Sequence, residues 1–503
     1  MAARSPGRIN DRGSLLNAEV KKYVSNTDRD IYTVSNIPEE VIAVIFAYVS
    51  RSAKSFRDNI EVVIQEEQHG RERAAQFHEK WVLNYGHASV AEHAAVHVGI
   101  ERVSRHFSSL LELSNEYLSF TEYSQRYQKP KKGDFYVPGE LDSHPNLKGE
   151  FVGLNNDLYD IYARINDELF VYLKDTEPVP EGGEEKAHFR ALEKVAFEDA
   201  RYALTLATLT NLGMTGNARA MEDSLTRLLS GKFEEVRTRA QEIKDEVRFS
   251  VPTLVKYANE NKYITETREA LSRITDSLPQ GRSETRGTVT RPVTLIDWTG
   301  KRTPDAEESA LENIAGALLY EYSGMSYEAI NEELLRMSFK NKLDLFNKCV
   351  EKLGKYDNPV SALRLVGYTA EFVISEACWH QLLRHRKTDW FFQDPSVFHG
   401  ITVPPNIQGA GVTDLLLKAT GESESLYSKL VNEGFTESAV YTVTNAHNRR
   451  ALGSFTLWEL YHLVNLRMSE GAQWDIKNVT ATLAAEVGSR HPNLVAPALK
   501  RVK

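Results

Sequence analysis

Apolar and polar residues follow two periods along this chain, and the helical one predominates. Stretches such as PEEVIAVIFAYV from Pro38 and ALENIAGALLYEY from Ala310 set apolar residues three and four apart, one face of an amphipathic helix. Strand candidates are few: a short run from Val293, the region after Asp30, SFTEY from Ser119, and the Pro-containing segments around Pro138 and Pro404. The stretches AEHAAVHVGIERVSRHFSSLL from Ala91 and VSALRLVGYTAEFVISEACWHQLL from Val360 read as helices preceding those proline segments. The pattern predicts an α+β chain, mainly helical, with a small sheet in each of its parts.

The parts repeat. TRLLSGKFEEVRTRAQEIKDEVRFSVPTLVKYA from Thr226 aligns without a gap on LRMSEGAQWDIKNVTATLAAEVGSRHPNLVAPA from Leu466. Arg227 falls on Arg467, Gly231 on Gly471, Val236 on Ile476, Pro252 on Pro492 and Leu254 on Leu494. Upstream, the region from Asp30 resembles that from Val293 as a short strand, a turn and an amphipathic helix, and FYVPG resembles ITVPP. Two copies of one domain are expected at 28–275 and 288–503, after a polar arm at 1–27 and with a polar linker at 276–287.

Composition narrows the function. The 503 residues carry a net charge of −9, which weighs against non-specific binding to nucleic acid, and no apolar run is long enough to span a membrane. The N-terminal residues contain no apolar core of a secretory signal. Cys349 and Cys378 are the only cysteines; each lies in an apolar helical context without a CxxC partner, which fits a cytoplasmic protein with inert thiols.

Three motifs carry candidate chemistry. In GHASVAEHAAVH the order Glu92-His93-Ala-Ala-Val-His97 matches neither HExxH nor its inverse, so no metal is expected. Ser89 with Glu92 reads instead as the capping box of a helix N-terminus, which can also face an anion. SFTEYSQRY, Ser119 to Tyr127, is a polar strand that offers Ser124, Gln125 and Arg126 to a phosphate. QLLRHR places Arg384-His385-Arg386 at a helix end with Gln381 one turn earlier; three adjacent cations exceed what a helix dipole calls for and suit a phosphate or planar heterocycle.

Together these motifs resemble the flavin-dependent thymidylate synthases, whose signature is RHRxxSxNExSxRY. The first copy keeps Ser119, Glu122, Ser124, Arg126 and Tyr127 but has Ser114-Asn115-Glu116 in place of RHR. The second keeps Gln381 and Arg384-His385-Arg386 but has Asp389, Asp394 and Ser396-Val397 in the remainder. Arg201 and Asn217-Ala218-Arg219 resemble further family elements in the first copy, and Leu466-Arg467 with Ala472-Gln473-Trp474-Asp475-Ile476 another in the second. The signature is divided between the copies.

The resemblance implies a reductive methylation of dUMP at C5, with FAD as cofactor and methylenetetrahydrofolate and NADPH as co-substrates. It implies Ser124, Arg384 and Arg467 as catalytic residues, with Glu122, Gln125, Arg126, Arg201, Arg227 and Gln381 also binding substrate. His87, Ser89, Glu92, Asn217, Arg219, His385 and Arg386 would hold the flavin. Family members are homotetramers, so a homodimer of this double chain would equal a tetramer, its sites composed from both copies. A divergent relative acting on another pyrimidine, or a non-catalytic relic, would share these features.

Overall fold

The computed structural model describes residues 20–48, 52, 54–65, 88–126, 129–277 and 291–502. The alternation along each copy produces one sheet per copy. In the first, β1 (Ala95–Ser104), β2 (Ser119–Glu122) and β3 (Leu209–Asn217) lie in the order β1-β3-β2. In the second, β4 (Val293–Trp298), β5 (Gly367–Ser375), β6 (Asp389–Phe392) and β7 (Asn448–Thr456) lie in the order β4-β5-β7-β6. Strands β5, β6 and β7 thus repeat β1, β2 and β3, and β4 extends the sheet past β5. The chain is two tandem copies of one mainly helical α+β domain.

The helices that follow the strands are started by equivalent caps. Ser104 accepts from the Phe107 amide ahead of the helix Arg105–Glu112, and Ser375 from the Cys378 amide ahead of Glu376–Leu382. Asn217 caps Ala218–Leu229, and Thr456 caps Leu457–Arg467. A second pair of equivalents is deeper. The amides of Thr253 and Leu254 donate to Glu40 at 2.7 and 3.0 Å, and those of Asn493 and Leu494 donate to Glu307 at 2.6 and 3.2 Å. Both glutamates are buried, each a carboxylate on otherwise unsatisfied amides.

Three expectations need correction. The long helices predicted from Ala91 and Val360 are each a 3-10 turn, a strand and a short helix. Tyr368, Ala370, Phe372 and Ile374 are buried on one face of β5, a period of two that the flanking helical residues masked. Ser89 and Glu92 both lie inside the 3-10 segment Ala88–His93 and form no capping box. The strand expected after Asp30 is an isolated bridge between Val24 and Val34, whereas its counterpart β4 pairs with β5, and the segments before Pro138 and Pro404 likewise make only the bridges Phe135–Thr208 and Ile401–His447. Most of the predicted arm and linker lies outside the described residues.

Contacts divide the chain into two compact units. One holds Met1–Ile100, Tyr117–Thr121 and Gly213–Ser272; here the helix Glu39–Tyr48 and the helix Ala218–Leu229 both pack on the 3-10 segment at Ala88–His93. The other holds Glu101–Glu116, Glu122–Leu212 and Arg273–Lys503, so it draws on both copies. Its core joins the inner face of β5 and β7 to Trp379, Leu382, Tyr461, Val464, Val479 and Leu483 from three helices.

Within this second unit the copies meet about a local two-fold. Thr205 and Thr444, equivalent residues, form an antiparallel bridge with each other. The Leu206 amide donates to Val443 and the Asn445 amide to Leu204, both at 2.8 Å; Ala207 donates to Tyr441 and Ala446 to Tyr202. Each bond is the partner of another under exchange of the copies. The same exchange relates His106 on Leu206 to Ala377 on Asn445.

Candidate functional site

This crossing sets the end of one copy's helix against the motif of the other. The helix Glu376–Leu382 stops before the cations, and His385 closes a turn on Leu382. Arg384 then reaches SFTEYSQRY of the first copy: its Nη2 donates to Glu122 Oε2 at 2.5 Å. Arg105 Nη1 donates to Glu122 Oε1, also at 2.5 Å. Glu122 is therefore clamped by a guanidinium from each copy. Burial opposes its charge, but Arg105 and Arg384 hold its carboxyl below the ordinary range.

Arg467, at the end of the helix Leu457–Arg467, is fixed beside Arg384. Its Nη2 donates to the Gln381 carbonyl at 2.8 Å, and its Nε to His385 Nε2 at 2.9 Å. A guanidinium can only donate, so His385 carries its proton on Nδ1 and gives it to Glu459 at 2.9 Å. Burial lowers the His385 pKa, which keeps the ring neutral. Burial, with Arg384 nearby, pulls Arg467 down to about 10, still charged at neutral pH. His385, Glu459 and His462 offer ligand atoms within 4.8 Å of one another. A metal on His385 Nδ1 would move the proton to Nε2 and set it against Arg467, so the geometry favours the hydrogen-bond chain.

Gln381 continues the site inward. Its Nε2 donates to Gln473 Oε1 at 3.1 Å, and Gln473 donates to Tyr202 Oη at 3.2 Å. Tyr202 and Ser375 both donate to Asp475. Gln473 also caps the helix Trp474–Gly488, so the network ties both copies to one helix start. Arg126 pairs with Glu198 at 2.6 Å and donates to the Gly471 carbonyl. Ser124 Oγ accepts from the Arg126 amide at 3.3 Å.

Around these groups several buried polar atoms have no hydrogen-bond partner. They are both amide atoms of Gln125, Arg201 Nη2, Gln381 Oε1, Arg105 Nε and Glu112 Oε1. Gln125 is 2% exposed and Arg201 4%. Buried polar groups are nearly always satisfied in folded proteins, so a cluster of donors and acceptors like this suits a polar anionic ligand. Burial lowers the Arg201 pKa, and an anion would compensate that cost.

The equivalent place in the second copy is filled. Aligned on the helix caps and strands, Arg105 corresponds to Glu376, Ser108 to Trp379, Thr210 to Arg449 and Glu122 to Phe392. Arg126 corresponds to Ser396 and Arg201 to Val440. Arg449 pairs with both oxygens of Glu376 at 3.0 Å and lies 5.2 Å over the Trp379 ring and 5.8 Å over Phe392. Trp379 and Arg449 lead the largest fully buried side chains. Where the first copy has two small residues the second has two large ones, and where the first has the cluster of unpartnered polar atoms the second has a closed ion pair.

Of the residues expected from sequence, Glu122, Ser124, Gln125, Arg126, Arg201, Gln381, Arg384, His385, Arg386 and Arg467 all lie in the second compact unit. Arg386 is exposed and donates to the Glu116 carbonyl. His385 is buried, so it faces Arg467 and Glu459 rather than the surface. Ser89, Glu92, Asn217, Arg219 and Arg227 lie in the other unit. There Arg219 pairs with Glu92 at 2.5 Å, Asn217 is committed to its cap, and Arg227 is exposed and paired with Asp223. His87 and Tyr127 are outside the described residues. Arg105, Glu112, Glu459 and Tyr202 complete the site without having been expected from the sequence, and Gln473, one residue of the Ala472–Ile476 family element, joins them through Gln381 and Tyr202. Among the described residues no helix is long and apolar enough to cross a membrane.

Comparison with known proteins places the site in context. The family model for thymidylate synthase complementing protein matches residues 32–253 and again 300–493. A UPF0159 protein of Thermoplasma acidophilum is 25% identical over 89% of this chain and 93% of its own length. A UPF0159 protein of Chlamydia muridarum is 23% identical over 93% of this chain and 92% of its own. The flavin-dependent thymidylate synthase of Clostridium tetani is 29% identical over 35% of this chain and 68% of its own. Among solved structures, the UMP/dUMP methylase PolB from Streptomyces cacaoi covers 43% of this chain and 97% of its own at 14% identity, with a TM-score of 0.35, too loose a superposition to carry detail across.

Proposed function

From the premise that the chain belongs to the thymidylate synthase complementing protein family, matched in both copies, we propose that it is a flavin-dependent thymidylate synthase. It transfers a one-carbon unit from methylenetetrahydrofolate to C5 of dUMP. The flavin, FAD, would supply the reducing equivalents drawn from NADPH. The observation that carries the reading is Arg384 of the second copy bound to Glu122 of the first, each bringing the half of the signature that the other copy lacks.

In this reading Arg384 and Arg467 hold the pyrimidine and stabilise negative charge that develops on it. The Glu459–His385–Arg467 chain orients the second of these guanidiniums. Ser124, Gln125, Arg126 and Arg201 receive the phosphate, with Arg126 exchanging Glu198 for the ligand. Gln381, held by Gln473, presents its free oxygen to the ligand, where a uracil N3–H would suit it. Arg386 is an exposed donor suited to a flavin's phosphates or ring. Within the other unit, Ser89 and Arg219, the latter paired with Glu92, are exposed donors of the same kind, and Asn217, committed to its helix cap, fits that role least. The functional molecule is a homodimer equal to a pseudo-tetramer. The purified protein should show flavin absorbance and release the C5 hydrogen of labelled dUMP when given NADPH and methylenetetrahydrofolate. A protein without flavin overturns the proposal.

A second reading is a flavin enzyme that modifies another pyrimidine nucleotide. It is favoured by the relatives that match nearly the whole chain, which bear the UPF0159 name, whereas the C. tetani thymidylate synthase matches only part. Flavin absorbance without release of the C5 hydrogen would select it.

A further inference from the structure

Glu112 ends the helix Arg105–Glu112 and belongs to none of the motifs above. Its side chain is 6% exposed, and its Oε2 lies 3.5 Å from Arg384 Nε. Its Oε1 is buried without a hydrogen-bond partner. The same guanidinium is held from its other side by Glu122. Two carboxylates thus share one arginine, and Glu122, better paired, keeps the stronger hold.

The charged groups facing Glu112 are few. Arg105 lies on its own helix, Glu122 comes from β2, and Arg384 and Arg386 come from the turn after the helix Glu376–Leu382. Burial and Glu122 disfavour its charge more than the three arginines favour it, and its pKa is pushed up to about 7. A helix C-terminus adds to this, since its dipole also repels an anion. In the aligned second copy the position is Leu383, an apolar residue, so the carboxyl is a feature of the open site alone.

Building on the reading of this site as a nucleotide site, we propose that Glu112 is a positioning residue that steadies Arg384 and takes up a proton when a nucleotide binds. An anion arriving among Arg126, Arg201 and Arg384 adds negative charge beside a carboxyl already poorly tolerated as an anion. A proton from solvent joins Glu112, no bond of the nucleotide changes, and Arg384 is freed to face the ligand. The protein's part of the pH dependence of binding then runs through Glu112.

Calorimetric titration of the full chain with dUMP tests this between about pH 6.5 and 8.5, in buffers of different ionisation heat, for the wild type, Glu112→Gln and Glu112→Asp. The wild type should take up close to one proton on binding above pH 7. Its affinity relative to Glu112→Gln should fall by up to about tenfold per pH unit above the Glu112 pKa. The phosphate of dUMP titrates alike for every variant, so the ratio isolates Glu112. Glu112→Asp should keep proton uptake, with a displaced midpoint. Parallel profiles for wild type and Glu112→Gln overturn the inference, as does a wild type that binds without proton uptake should Glu112→Gln fail to fold. A wild type that binds no dUMP at any pH overturns the nucleotide reading itself and this inference with it.

Discussion

Replacing Glu122 with Gln keeps the side chain's shape and removes the charge that two guanidiniums share. The side chains of Glu122 and Arg105 are 1% and 5% exposed, so the substitution leaves the Arg105 guanidinium buried without its counter-charge. Removing one partner of a buried ion pair costs about 3–5 kcal/mol. The contact with Arg384 adds little, because that side chain is 40% exposed and solvent screens it. The new amide oxygen still accepts one hydrogen bond, which brings the expected loss to about 3 kcal/mol. The pH dependence has a definite sign. Because the folded-state pKa of Glu122 is lowered, its stabilisation is complete above the ordinary carboxylate value of 4.5 and is lost as pH falls through the lowered one. Denaturant unfolding of both proteins should therefore show a gap of about 3 kcal/mol at neutral pH that holds down to the ordinary carboxylate value of 4.5 and narrows only below it. A gap below about 1 kcal/mol at neutral pH, or one that does not change with pH, refutes the reasoning.

Other consequences are equally accessible. Arg384→Ala and Arg126→Ala should each abolish dUMP binding in calorimetry, and mixing the two proteins should not restore release of the C5 hydrogen, because on the proposed reading the site is built within one chain, where Arg384 meets Glu122. Titration of the wild type should saturate at one dUMP per chain; two would mean that the Trp379–Arg449 plug opens. Trp379→Ser should cost about 3–5 kcal/mol in unfolding experiments through the cavity it leaves, while Ser108→Trp, which copies the plug into the first copy, should block dUMP binding. Glu40→Ala and Glu307→Ala should each cost about 1–3 kcal/mol, since each leaves two amides without their acceptor, and unequal costs would weaken the equivalence of the copies.

Much of this architecture is legible in the sequence. The ungapped match from Arg227 on Arg467 to Leu254 on Leu494 announced the repeat, and Glu40 and Glu307 repeat one contact at its end. The division of the signature located the meeting of Arg384 with the Glu122 segment, because complementary losses make sense only for residues that share a site. What stayed hidden has physical reasons. β1 and β5 read as helix because a strand of nine or ten residues between helical segments presents apolar residues at both periods. Arg105 and Glu112 carry no motif; they matter because a helix from one copy ends where the other copy's arginine arrives, which is a fact of packing. The inward turn of His385 was equally invisible, since Glu459 lies far along the chain. The filled seat in the second copy needed the caps as a ruler, because Trp379 and Arg449 look like ordinary core and strand residues until set beside Ser108 and Thr210.

Thr205 facing Thr444 has an evolutionary meaning. On the two-fold axis of an ordinary homodimer a residue meets its own copy, so every mutation there happens twice and both halves must tolerate it. Once the two halves are one polypeptide, the residues on either side of the axis are separate codons. Selection can enlarge one and spare the other, discard half of a ligand site and keep its mirror image, or place a carboxyl at position 112 while leucine stands at 383. The threonine pair is then the trace of a symmetry that no longer binds the rest of the molecule.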